Sequence, residues 1–129
     1  MATSDWPLYR RAFYNLFIGV MGRWIELFTD EQTVTGLENI PAAGPYLIVS
    51  NHLNFSDPEY ICRAFPDPIN FMVKKELFGY PVIGFGLRLL GTFPVDRGGN
   101  DFAAVRRGLE LLERGNPLML FPEGTRSRT

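Results

Sequence analysis

Tyr46-Leu47-Ile48-Val49-Ser50-Asn51-His52-Leu53-Asn54-Phe55-Ser56-Asp57-Pro58-Glu59 is the stretch that decides the fold. Its first four side chains are all apolar, the pattern of a strand covered on both faces. Its last four put Ser56 and Glu59 at capping-box spacing with Pro58 inside, which marks a helix start. Working outward, the same alternation continues. Strands are expected over residues 33–37, 46–50, 69–73, 92–95 and 117–121, with helices between them. The strongest helix spans residues 101–114, capped by Asn100 or Asp101 and stopped by Gly115. Phe102, Val105, Leu109 and Leu112 give it an apolar stripe expected to face the core, and Glu110 and Arg114 an i,i+4 pair. Alternation of this kind predicts an α/β domain with a largely parallel sheet flanked by helices, preceded by an N-terminal apolar helix.

Residues 77–95 carry Arg88 as their only charge and approach the length of a membrane span. Pro81, Pro94 and four glycines rule out one continuous helix. A turn, a helix over residues 81–90 and a strand fit better. The N-terminal segment WPLYRRAFYNLFIGVMGRWIELF, residues 6–28, is apolar nearly all round a helix. Its uncharged window between Arg11 and Arg23 holds eleven residues, well short of the ~20 needed to cross a bilayer. Trp6, Tyr9, Tyr14 and Trp24 suit a membrane–water interface, with Arg10, Arg11 and Arg23 near anionic headgroups. A helix docked on the domain's own core is the alternative. The expected division is an interfacial helix over residues 1–30 and a domain over residues 33–129.

The chain has 129 residues, 46% apolar and 21% charged, which bounds it to one folded domain. A net charge of −1 argues against a nucleic-acid binder. Eleven of the thirteen basic residues are Arg, the residue suited to gripping phosphate or carboxylate, although an Arg-rich codon bias gives the same composition. Cys62 and His52 stand alone in their types, so neither an internal disulfide nor a Cys/His zinc site can form. No secretory signal is evident.

Parallel sheets hold ligands beyond the carboxyl ends of their strands, which directs attention to three clusters. In the first, residues 51–57, His52 is a natural general base, and Asp57 opens the next helix, where it can fold back to orient the imidazole. The second, Gly91-Thr92-Phe93-Pro94-Val95-Asp96-Arg97-Gly98-Gly99, delivers Arg97 at a strand end beside glycines. The third, Phe121-Pro122-Glu123-Gly124-Thr125-Arg126-Ser127-Arg128, is a Gly-flanked turn with hydroxyls and two Arg, the chemistry of an anion cradle. No Gly-x-Ser-x-Gly elbow and no phosphate-binding Gly-Lys loop occur.

Together these clusters resemble the glycerolipid acyltransferase family of the 1-acyl-sn-glycerol-3-phosphate (lysophosphatidate) acyltransferase type. The resemblance rests on Asn51, His52 and Asp57, on the stretch from Lys74-Lys75-Glu76-Leu77-Phe78 through Pro94-Val95-Asp96-Arg97, and on residues 121–128. A run such as residues 121–126 arises by chance about once in tens of millions of positions at roughly 5% per residue type. The resemblance implies a membrane-associated enzyme on the cytoplasmic face, in phospholipid biosynthesis. It implies His52 as base and Asp57 as its orienting partner. Arg97, Glu123, Gly124, Thr125 and Arg126 would bind the acceptor's glycerol-phosphate. No cofactor or metal is implied, and acyl-CoA or acyl carrier protein is the thioester co-substrate. Partners would be membrane lipid and lysophospholipid, and not nucleic acid. Other outcomes are acylation of glycerol 3-phosphate or another lysophospholipid, or a non-catalytic lipid-binding remnant. Family members continue past the point where residue 129 ends this sequence. A C-terminally truncated domain is therefore expected, with the strand at 117–121 short of partners.

Overall fold

The computed structural model describes residues 5–29, 33–42, 44–51, 57–96, 98 and 100–121. Helices and strands alternate after the first helix: α1 (Leu8–Glu26), β1 (Leu47–Val49), α2 (Asp57–Ala64), β2 (Asn70–Lys74), α3 (Pro81–Leu89), β3 (Thr92–Val95), α4 (Phe102–Glu113) and β4 (Leu118–Leu120). The strands form one parallel sheet in the order β1-β4-β2-β3. Residues 75–79 form a 3-10 turn ahead of α3, so the apolar stretch 77–95 divides as its glycines and prolines predict.

The strand expected at 33–37 does not form. Gly36 sits in the left-handed region at φ 82°, and the chain turns there into a 3-10 helix over Leu37–Asn39. The strand at 117–121 is not short of partners either. β4 lies inside the sheet, with Leu47–Leu118 and Val49–Leu120 opposite each other on one side and Asn70–Leu118 on the other.

Layers of helix cover both faces. On one, Trp6 and Tyr14 of the α1 region meet Cys62, Ile69, Leu90 and Met119, all buried. The Trp6 and Tyr14 rings meet edge to face at 5.5 Å, and the Tyr14 hydroxyl accepts the Ile69 N–H at 3.2 Å. Burial pushes the Cys62 thiol up to about 11, so it is an inert core residue. Arg63 of α2 pairs with Glu26 of α1 at 2.5 Å and lies 3.5 Å from Glu59. Glu59 therefore does not complete a capping box: its carboxylate accepts no hydrogen bond, and burial raises its pKa against the pull of Arg63.

On the other face α4 packs by Ala104, Gly108 and Leu111, not by the expected stripe. Phe102, Val105 and Leu109 are exposed, with only Leu112 partly buried. The reason lies in the sheet. Phe93 and Leu118 already fill the surface beneath α4, and a Cβ on Gly108 would come within 3.1 Å of the Leu118 side chain. Small residues are needed at that contact. Glu110 pairs with Arg107 at 3.5 Å. α4 lies over β3 and β4, and Leu47 and Val49 of β1 remain 49% and 58% exposed. The apolar run in β1 is covered on one face only, by the core around Ile48.

Candidate active site

All four strands are parallel, so their carbonyl ends share one edge of the sheet. Ser50 N–H donates to the Leu120 carbonyl at 3.2 Å, which sets the chain entering residues 51–57 beside the chain entering residues 121–128. Two clusters distant in sequence thus start from neighbouring strands. Asn51 is exposed on this edge, and Asp57 is the first residue of α2, where a carboxylate is favoured by the helix dipole. His52, Arg97, Glu123, Gly124, Thr125 and Arg126 lie outside the described residues.

The exits of β2 and β3 are joined by charge. Lys75 Nζ lies 2.9 Å from Asp96 Oδ2, and Asp96 Oδ1 accepts the Gly98 N–H at 3.0 Å. Asp101 accepts the Asp96 N–H at 2.8 Å and the Ala104 N–H at 3.0 Å, so one carboxylate caps α4 and holds the turn. Lys75 and the Gly98 N–H hold the Asp96 carboxyl below its ordinary range, and Asp96 raises Lys75 in turn. The N–H groups of Asp96 and Ala104 lower Asp101 likewise. The residues on either side of Arg97 are therefore fixed by three named contacts, and the Asp96 carboxylate is occupied by Lys75. Sequence reading missed that link, because 21 residues separate the pair and only the β2–β3 register brings them together. Among the described residues no group of three or more His, Cys, Asp and Glu could hold a metal ion.

The four parallel strands form an α/β scaffold whose loops gather on the carbonyl edge, and the family model for acyltransferases matches residues 31–129: the chain belongs to the acyltransferase family. It is 34% identical over 124 residues to a chloroplastic 1-acyl-sn-glycerol-3-phosphate acyltransferase of Brassica napus, covering 93% of this chain and 36% of the relative. The 1-acyl-sn-glycerol-3-phosphate acyltransferase of Streptococcus pneumoniae is 35% identical over 119 residues, covering 90% and 45%. The crystal structure of the 1-acyl-sn-glycerophosphate acyltransferase from Thermotoga maritima superposes with a TM-score of 0.73 at 28% identity. It covers 92% of this chain and 47% of that one. The chain thus spans less than half the length of these relatives.

Proposed function

We propose that the chain carries the acceptor-acylating half of a 1-acyl-sn-glycerol-3-phosphate acyltransferase, moving a fatty acyl group from a thioester to the free hydroxyl of lysophosphatidate to give phosphatidate. The observation that carries this reading is the pairing of β1 with β4, which starts the segments 51–57 and 121–128 from adjacent strand ends. The printed names of the relatives supply the acceptor class.

In the mechanism, the acceptor hydroxyl attacks the thioester carbonyl and a C–O bond forms. His52 takes the hydroxyl proton. The C–S bond then breaks, and the departing sulfur is protonated to the free thiol of coenzyme A or of acyl carrier protein. Asp57 holds the imidazole in one tautomer and stabilises the imidazolium. Arg97, Glu123, Gly124, Thr125 and Arg126 bind the glycerol-phosphate portion, with the guanidiniums on the phosphate.

The same reading extends to the membrane. Tyr9, Leu16, Val20, Trp24 and Leu27 of the α1 region share an outward stripe and are each at least 60% exposed. Among the described residues no helix is long and apolar enough to cross a membrane. α1 lies with one face on the core and the other on the lipid surface, on the cytoplasmic side. Assay of the chain with acyl-CoA and with acyl-acyl carrier protein, against lysophosphatidate and glycerol 3-phosphate, tests the proposal. Transfer to lysophosphatidate is expected, and transfer to glycerol 3-phosphate alone would reassign the acceptor.

A further inference from the structure

Away from the carbonyl edge, a concavity of about 460 Å³ is lined by β3, the edge strand among the described strands. Its floor is Thr92, Phe93 and Pro94, with Asn70, only 2% exposed, beside them. Four arginines line it, from both helical layers: Arg10 of α1, Arg88 in the last turn of α3, Arg107 in the middle of α4 and Arg114 at the C-cap of α4. Helices run opposite to strands in this fold, so the ends of α3 and α4 fall at the amino-terminal ends of β3 and β4. The concavity is therefore separate from the residues assigned to catalysis.

Charge here is one-sided. The single carboxylate in the wall among the described residues, Asp5, accepts from Asn116 Nδ2 at 2.9 Å. Arg107 is shared with Glu110 at 3.5 Å and the Arg88 guanidinium lies 5.2 Å from the Phe78 ring centroid, while neither Arg88 nor Arg114 has a carboxylate partner among the described residues. Arg10 is fixed in place: its guanidinium lies 4.3 Å from the Trp6 ring centroid, and Nη2 donates to the Arg88 carbonyl at 3.0 Å. Guanidiniums crowded into a concavity repel one another unless an anion joins them, and a tetrahedral oxyanion can accept from several at once. Pro94 offers no N–H on this edge, which disfavours an added peptide strand as the occupant.

We propose that this concavity is a second anion site that binds a phosphate group, apart from the acceptor site at the carbonyl edge. The phosphate can come from a phospholipid headgroup or from free phosphate. Leu8 and Tyr9, 83% and 67% exposed in the first turn of α1, supply apolar surface next to Arg10.

The test starts from the chain carrying Arg97→Ala and Arg126→Ala, which removes the arginines proposed for the acceptor. Inorganic phosphate is titrated calorimetrically at low ionic strength. Binding should persist in that background. Adding Arg88→Gln and Arg114→Gln should weaken it about ten- to a hundredfold, with the melting temperature unchanged. If the combined variant melts early, Arg114→Gln alone, in an exposed last turn, should still weaken binding. Sedimentation with phosphatidylglycerol and phosphatidylcholine vesicles separates the sources. Loss of the preference for phosphatidylglycerol on Arg88→Gln and Arg114→Gln identifies a headgroup, and a retained preference identifies free phosphate. Absence of phosphate binding in the starting background, or equal affinity after the Gln substitutions, would overturn the proposal. Arg88 and Arg114 would then serve only the carboxyl ends of α3 and α4.

Discussion

Lys75 Nζ and Asp96 Oδ2, 2.9 Å apart, tie the exits of β2 and β3 together immediately before Arg97. Both side chains are about half exposed, so the pair contributes position more than stability. Asp96→Asn should raise the acceptor's KM while kcat and the melting temperature change little. The pH dependence follows from the shifts. Asp96 is lowered, so its contribution is present above the ordinary carboxyl value of 3.8 and is lost as pH falls through the folded value. Lys75 is raised, so its contribution is present below 10.5 and is lost as pH rises through its folded value. The difference in acceptor binding between the parent and Asp96→Asn should be flat between those limits and vanish in acid. A difference that persists in strong acid would detach Asp96 from the effect.

His52→Ala should lower acyl transfer by roughly 10²–10⁴ without changing binding of either substrate, as removal of a general base does. Asp57→Asn should act in the same direction with a smaller loss. Turnover of His52→Ala within about threefold of the parent, in a variant that melts normally, removes His52 from the mechanism.

Arg97→Ala and Arg126→Ala should each raise the acceptor's KM about ten- to a hundredfold and leave the thioester's KM nearly unchanged. Lys at either position should rescue only in part, because a point charge lacks the paired donors of a guanidinium. A defect confined to the thioester's KM would move these side chains to the donor.

Membrane attachment cannot be tested by deleting residues 1–29, because Trp6 and Tyr14 belong to the core. The outward stripe of α1 can be changed alone. Leu16→Ser, Val20→Ser and Trp24→Ser together should shift the protein from vesicles to solution and leave the melting temperature close to the parent's, since all three are at least 60% exposed. Unchanged vesicle binding would place the lipid contact elsewhere.

Gly91→Ala should destabilise the fold by about 2–4 kcal/mol, from left-handed strain added to overpacking. Gly91 has φ 79°, and a Cβ there would collide with the Trp6 ring and stand 3.0 Å from Asn70 Oδ1. Denaturant unfolding measures this. A loss below about 0.5 kcal/mol would mean that Trp6 moves aside freely.

Much of the architecture could be read from residue order. Four of the five expected strands form within a residue or two of their expected ends, and Gly and Pro divide residues 77–95 where they should. What failed was everything that depends on a partner surface. The apolar stripe of α4 was visible as a period, but a period cannot say which of two adjacent faces meets Phe93 and Leu118. The exposure of Leu47 and Val49 depends on how far α4 reaches across the sheet. Glu59 has the spacing of a cap and the surroundings of an ion pair, and Arg63 from the same helix decides between them. The motif residues themselves were legible because catalytic chemistry needs particular residue types in a short span. The joining of Lys75 to Asp96, and of four arginines around β3, exists only in three dimensions.

The insertion of β4 between β1 and β2 also sets a schedule for biosynthesis. β2 and β3 can pair as soon as both have left the ribosome, but among the described strands β1 has no neighbour except β4. At about 5–20 residues per second, residues 47–49 wait roughly 3–14 s for residues 118–120 to be made. Throughout that interval an apolar strand, Leu47–Val49, is tethered to the translating ribosome with both edges open. The nascent chain is most prone to aggregation or chaperone capture in this window, and slowing translation over α4 should lengthen it.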